Sequence, residues 1–359
     1  MNILHIIFSF NNGGSENLLI NLLNSWQNTN DKLFLCVVND NYDETLINQL
    51  NNEVTVFKLN RQPGTGKLYG MSQLRKIVKD NEINIVHCHS NNVFKYSVMA
   101  LFSFKSRIKF YLTIHNESIY PNLTKFEILL HQFFLNKIIA ISNSVKKSIL
   151  LKLPTQNIVS VVYNGIDLKK YEKKKNTQKN KNVILCIGRM VPPIKGQDVL
   201  LRALKLSTQD HENLECVFVG GNPENEDNIS KLKYLACKLG VYSSVKFLGN
   251  CHNIPQLLQQ ASLLVVPSRE EGFGLVAIEG MASYTPVIAA KVGGLTEIIQ
   301  NGITGYLFEK ENYVELAKLI DLVIEKNNDQ LVQNAYEVAQ NKFNIIRTAI
   351  ETRNIYLNS

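Results

Sequence analysis

The sequence predicts an α/β protein built from two Rossmann-like domains, and three observations carry that expectation. Apolar, β-branched runs alternate with helical patterns along the chain, as expected of a parallel sheet covered by helices on both faces. The alternation runs to about residue 167 and restarts after Lys181. Between the two series lies KKYEKKKNTQKNK, residues 169–181, too polar and charged to belong to a core.

Taken in order, residues 2–10 (NILHIIFSF) form a first strand that stops at Gly13-Gly14, with a helix over 15–26. Strands follow at 32–38, 54–59, 83–87, 110–114, 138–141 and 158–162, with helices that include 68–80 and 125–135. The second series places strands at 182–187, 215–219, 244–248, 263–266, 286–289 and 305–308. Helices near 314–325 and 330–340 precede a tail to Ser359. The expected domains are residues 1–167 and 168–341. In open α/β sheets the ligand lies beyond the carboxyl ends of the strands, so two such domains are expected to face each other across a cleft.

At 359 residues, with 45% hydrophobic and 19% charged content, the chain is long enough for two cores and is not a disordered protein. The net charge of +8 is uneven, with 22 Lys and Arg against 12 Asp and Glu in residues 1–180, and 17 against 19 thereafter. A basic half suits nucleic acid or an anionic membrane surface, but no RNA- or DNA-binding motif accompanies it. Six cysteines lack metal-like spacing and several sit in apolar runs, as reduced thiols of a cytoplasmic protein do. The apolar start lacks a basic region and a cleavage site, so it reads as a buried strand rather than a signal peptide. No apolar stretch is long enough to span a bilayer, so any membrane contact is peripheral, on the cytoplasmic face.

The chemistry concentrates in residues 263–297, LLVVPSREEGFGLVAIEGMASYTPVIAAKVGGLTE. A strand stops at Pro267-Ser268, a polar loop carries Glu270 and Glu271, and Gly272-Phe273-Gly274 leads into a helix over 275–282. Glycines admit close approach of a ligand, and a helix start offers N–H groups to an anion. Glu279 lies one turn beyond Leu275 on the same face. A phosphate at the helix start and a diol on Glu279 fit one nucleotide, with Glu271 facing whatever the phosphate carries. Two glutamates eight apart around a Gly-Phe-Gly turn, followed by Gly293-Gly294-Leu295-Thr296-Glu297, resemble the E-x7-E motif of retaining glycosyltransferases of family 4, which have the GT-B fold.

Other residues extend the resemblance. Gly188-Arg189-Met190 follows a strand, and Lys195 comes six residues after Arg189. An Arg fork and a Lys point charge suit a diphosphate, and the family places both there to neutralise the leaving group. The intervening Val191-Pro192-Pro193-Ile194 is one residue longer than the commoner spacing. Gly13-Gly14-Ser15-Glu16 resembles the family's glycine loop, which puts the Gly14 backbone near the sugar diphosphate. His115, after the strand at 110–114, corresponds to a histidine near the donor sugar, though a histidine can also act as a general base. His87 and His89 alone supply two metal ligands and lack a third, so they read as cleft wall, with His89 towards the acceptor. Tyr163-Asn164-Gly165-Ile166-Asp167 resembles the family's turn at the end of the first domain. Asn250 follows a strand where backbone groups read the base.

Two stretches are set aside. Gly64-Thr65-Gly66-Lys67 lacks the first glycine and the final Ser or Thr of a P-loop. Residues 95–109, KYSVMALFSFKSRIK, fit a core helix with basic ends better than one resting on anionic lipid.

The resemblance implies a metal-independent, retaining glycosyltransferase that moves a hexose or N-acetylhexosamine from a UDP-sugar to a lipid-linked saccharide acceptor, as in O-antigen, capsule or lipopolysaccharide assembly. The implied reaction machinery is Glu271, His115, Arg189 and Lys195. The donor would be held by Gly14, Arg189, Lys195, Asn250, Gly272, Phe273, Gly274, Leu275 and Glu279, with no metal. It also implies that the tail, residues 342–359, returns to the first domain. A sugar epimerase or phosphorylase of GT-B fold, or a non-catalytic nucleotide-sugar-binding protein, stands as the alternative.

Overall fold

The computed structural model describes every residue except 12, 27–28, 67, 173–181, 208–212, 222–225 and 252, and the side chain of 156. Most of the charged stretch at 169–181, and Lys67 of the Gly-Thr-Gly-Lys segment, lie outside the described residues. The chain forms two compact units. One is Met1–Gly165 with Ile345–Ser359, the other Ile166–Asn344.

The first unit holds a seven-stranded parallel sheet of β1 (Asn2–Ile7), β2 (Lys32–Asn39), β3 (Val54–Arg61), β4 (Ile85–Cys88), β5 (Lys109–Ile114), β6 (Leu135–Ala140) and β7 (Val159–Val161). The order is β3-β2-β1-β4-β5-β6-β7. The central strands are apolar on both faces because helices cover both. From β1, Ile3, Leu4 and Ile6 are fully buried, and from β5, Tyr111, Leu112 and Ile114. β1 pairs with β4 in a register that sets His5 beside His87. Helix Ile345–Leu357 also belongs to this unit, 180 residues on from Gly165. Its Tyr356 is buried against Tyr111, with ring centroids 4.7 Å apart, and Arg353 pairs with Asp31 at 2.6 Å.

The second unit holds β8 (Val183–Ile187), β9 (Glu215–Val219), β10 (Val245–Phe247), β11 (Leu263–Val266), β12 (Val287–Ala290) and β13 (Tyr306–Phe308). Their order is β10-β9-β8-β11-β12-β13. Both sheets therefore run outward in one direction from their first strand and then switch to the other side with their fourth. The crevice past the strand ends at such a switch is where open α/β sheets take ligands. In the second unit that switch is the β8–β11 pair, with Leu263 opposite Ile184.

The segment at 95–109 is not one helix. Helix Asn91–Leu101 ends at Leu101, a single 3-10 turn covers Phe102–Phe104, and the chain turns into β5 at Lys109. The helix itself is core, with Tyr96, Val98, Ala100 and Leu101 buried, while Lys105, Arg107 and Lys109 are exposed on the turn beyond it. All six cysteines are free, four of them buried. Among the described residues no helix is long and apolar enough to cross a membrane.

Candidate active site

In the second unit, the loops after β8 and β11 meet at the switch point. β8 hands over to Gly188 and Arg189, then to a single helical turn, Pro192–Lys195. The two prolines fit the start of such a turn, where their missing N–H groups are no loss. Gly196 ends the turn at φ 65°, and a Cβ there would run into the Pro267 carbonyl oxygen. Only glycine satisfies both the left-handed backbone and that contact. The close approach brings Lys195 onto the β11 loop, where its Nζ sits 2.7 Å from Glu271 Oε2. Ser268 Oγ, itself buried, donates to the same oxygen at 3.1 Å. Arg189 is exposed and makes no ion pair among the described residues. Its backbone carbonyl accepts from Gln197 Nε2 at 2.8 Å, which fixes the main chain there.

The helix predicted over 275–282 is Leu275–Ala282, and its N-cap is Gly274 at φ 112° with no side-chain cap. A Cβ on Gly274 would lie 2.5 Å from Leu295 Cδ2, so the helix start is pressed onto the Gly-Gly-Leu-Thr-Glu turn. Gly294 N–H donates to the Glu271 carbonyl at 3.1 Å and ties that turn to the loop. Gly272 and Phe273 are buried, and the Phe273 ring meets Phe343 edge-on at 5.8 Å. One turn into the helix, Glu279 is hydrogen-bonded by Tyr171. Burial raises the Glu279 pKa, and the Tyr171 bond partly offsets that. A carboxylate has further lone pairs, so Tyr171 orients Glu279 without exhausting it.

Arg269 went unnoticed in the sequence, where it is one charge in Ser-Arg-Glu-Glu. Its guanidinium grips both oxygens of Asp198, at 2.7 and 2.9 Å, reaches the Pro192 carbonyl at 2.6 Å, and pairs with Glu311. It fastens the Pro192–Lys195 turn to helix Gln197–Ser207 and to the β11 loop. Asn250 lies exposed just past β10, and the neighbouring Gly249 carbonyl accepts from Gly220 N–H at 2.7 Å. Asp167 has a local role, its side chain accepting from Lys169 N–H at the start of the 3-10 turn Leu168–Tyr171.

Gly14 and His115 belong to the first unit, also near its switch point, the β1–β4 pair. Gly14 opens helix Gly14–Asn24, and a Cβ there would meet open space, as fits a backbone that a ligand can reach. His115 follows β5, stacks 6.0 Å from His89, and has a buried Nε2 without a hydrogen-bond partner among the described residues. His87, His89, His115, Thr113 and Asn164 line a cavity of about 20 Å³, room for roughly one water.

The expectation that His87 and His89 lack a third ligand is corrected here. His5 on β1 completes a cluster whose ligand atoms lie within 4.8 Å of one another. Its Nδ1 is 3.0 Å from His89 Nε2. His87 is already engaged at both nitrogens, by Tyr356 Oη at 2.5 Å and Thr113 Oγ1 at 2.7 Å, so a metal would have to displace one of these bonds. His5 Nε2, by contrast, is buried and has no hydrogen-bond partner among the described residues.

Burial holds the His5 pKa down to about 3 and that of His115 to about 4, and keeps His87 and His89 well below the ordinary value. The unfolded chain takes up protons on His5 and His115 near pH 6.5, whereas the folded chain resists until about pH 3–4. Stability therefore falls as pH drops below 6.5, by up to about 1.4 kcal/mol per pH unit for each of these two, with His87 and His89 acting in the same direction. Melting curves taken from neutrality down to about pH 5 should show a steadily falling Tm. A flat Tm would contradict the neutral buried cluster.

Comparison with known proteins agrees with this geometry. Residues 12–170 match the family described as Glycosyltransferase Family 4, and residues 167–340 match Glycosyl transferases group 1. An uncharacterised glycosyltransferase of Methanocaldococcus jannaschii is 30% identical over 336 residues, 88% of this chain and 87% of its own. A second from that organism is 32% identical over 237 residues, but the match spans only 59% of its length and 61% of this chain. Among solved structures, Anabaena HepE in complex with UDP and glucose is similar over 99% of both chains, with 25% identity and a TM-score of 0.85. With a relative matched almost end to end and both Rossmann-like units accounted for, the chain belongs to the glycosyltransferases of GT-B type.

Proposed function

We propose that the chain is a retaining family 4 enzyme that transfers a hexose or N-acetylhexosamine from a UDP-sugar to a lipid-linked saccharide in surface-polysaccharide assembly. The observation that carries this reading is the Lys195–Glu271 pair at the β8–β11 switch, beside the exposed Arg189 and the uncapped start of helix Leu275–Ala282. Two cations and an uncapped helix start suit a diphosphate, and a neighbouring carboxylate suits the hydroxyls of what it carries. The binding of UDP and glucose by HepE supports a UDP-linked donor.

In this reading Arg189 and Lys195 hold the diphosphate and neutralise the charge that builds as the sugar–phosphate bond breaks. With those two cations in place the reaction needs no metal. Glu271 accepts hydrogen bonds from the sugar hydroxyls and Glu279 from the ribose diol. Phe273, Leu275 and the Gly272 and Gly274 backbone shape the donor pocket in the second unit, Asn250 stands beside the base, and the Gly14 backbone is the first unit's candidate for donor contact. His115 is the first unit's candidate for contact with the donor sugar. Its depressed pKa makes it a neutral hydrogen-bonding partner near pH 7. The acceptor hydroxyl attacks the anomeric carbon on the face the phosphate leaves, and its proton passes to the departing phosphate oxygen.

The test is to incubate the protein with UDP-sugars and saccharide acceptors in the presence of a chelator and assign the product anomer by NMR. A product with the donor's anomeric configuration is expected, at a rate the chelator leaves unchanged. An inverted product, or a free sugar isomer formed without acceptor, contradicts the assignment.

A further inference from the structure

The first unit carries an apolar face that none of the described residues covers. On helix Lys125–Phe134, Phe126, Leu129 and Phe133 are 67%, 61% and 66% exposed, and they recur at helical spacing along one side. Phe102, 63% exposed, adjoins them through Phe134, with ring centroids 5.8 Å apart. The helix is nevertheless firmly seated. Thr124 and Glu127 form a capping box, and the inward-facing His131 bonds Tyr120 Oη at 2.7 Å and Asn91 at 2.8 Å. Glu127, the helix's only acid, is paired with Lys95 at 2.6 Å. His131 faces the protein together with Phe134, while Phe126, Leu129 and Phe133 face out beside Lys125 and Gln132, a wider apolar exposure than an ordinary surface helix shows.

The surroundings of the stripe are cationic. Residues 95–137 contain six Lys and Arg against two acids, one of which is the neutralised Glu127. Lys105, Arg107 and Lys109 stand in a row with Ser106 around an open depression of about 360 Å³ walled by Phe133. Lys105 Nζ lies 3.2 Å from the centre of the Phe133 ring. Exposed aromatics beside cations, next to a recess of lipid-headgroup size, have the two chemistries of a bilayer surface: acyl chains below and anionic phosphates above.

We propose that this face, Phe126, Leu129, Phe133 and Phe102 with Lys105, Arg107 and Lys109, docks on an anionic lipid bilayer, the recess taking a lipid phosphate. Charge selects this occupant over a second copy, because a self-contact would set the same cations against one another. The proposal goes beyond the donor reading and does not depend on it.

The test is co-sedimentation of the full chain with phosphatidylcholine vesicles, with and without phosphatidylglycerol. Binding is expected only with phosphatidylglycerol and should weaken as salt is raised. The triple variant Phe126→Ser, Leu129→Ser, Phe133→Ser and the double variant Lys105→Glu, Arg107→Glu should each bind about tenfold or more weakly, while keeping the wild-type circular dichroism. Wild-type protein that stays in solution with phosphatidylglycerol vesicles, or variants that sediment as well as wild type, overturn the proposal. So does a dimer in solution that the triple variant abolishes in a protein indifferent to lipid. Vesicle binding by a protein that binds no UDP would leave the docking surface standing and remove the donor assignment instead.

Discussion

Arg189→Ala and Lys195→Ala are each expected to lower kcat by about 10²–10³-fold, the usual effect of removing one preorganised group that stabilises developing charge. The two variants should differ in stability. Arg189 is exposed and makes no ion pair among the described residues, so its loss strands no partner there. Lys195 is mostly shielded, with 23% of its side chain exposed and 15% of that of Glu271. Its loss leaves a carboxylate with Ser268 as its remaining partner, so Lys195→Ala should also melt at lower temperature. Steady-state kinetics and calorimetry on both variants check this. Two variants equally stable but both fully active would place the leaving-group chemistry elsewhere.

The second large effect is on donor affinity. Glu279→Ala is expected to weaken UDP binding by about 10- to 150-fold, equivalent to the roughly 1.5–3 kcal/mol of a hydrogen bond to a charged group. Tyr171→Phe removes only the group that orients Glu279, so its effect should be smaller and in the same direction. Isothermal titration with UDP measures both. A Glu279→Ala protein that binds UDP as wild type does would take the ribose off this glutamate.

Much of the fold was legible because each signal is local. The helix Leu275–Ala282 was readable from its glycine turn and apolar run, and the strands from β-branched clusters. What could not be read is strand order and everything that depends on it. His5 meets His87 only because β1 and β4 are sheet neighbours, 82 positions apart. Arg269 looked like one more loop charge because Asp198 and Glu311 are remote in sequence. Lys195 and Glu271 could be named for their chemistry, but their ion pair rests on Gly196 fitting against Pro267.

The exposed stripe on helix Lys125–Phe134 was hidden for a different reason. KFEILLHQFF is apolar on most sides, so its periodicity does not say which face is buried. The decision falls to His131 and Glu127, whose partners Tyr120, Asn91 and Lys95 all lie outside the helix. The basic stretch at 95–109 shows its cations in the sequence but not where its helix ends, at Leu101.

The most direct test of the donor site is a calorimetric titration of the purified chain with UDP, GDP, ADP and NAD in the absence of metal. The account predicts that UDP binds most tightly and that its affinity falls in Arg189→Ala and Glu279→Ala. Binding of NAD alone, or of none of the four, would contradict it.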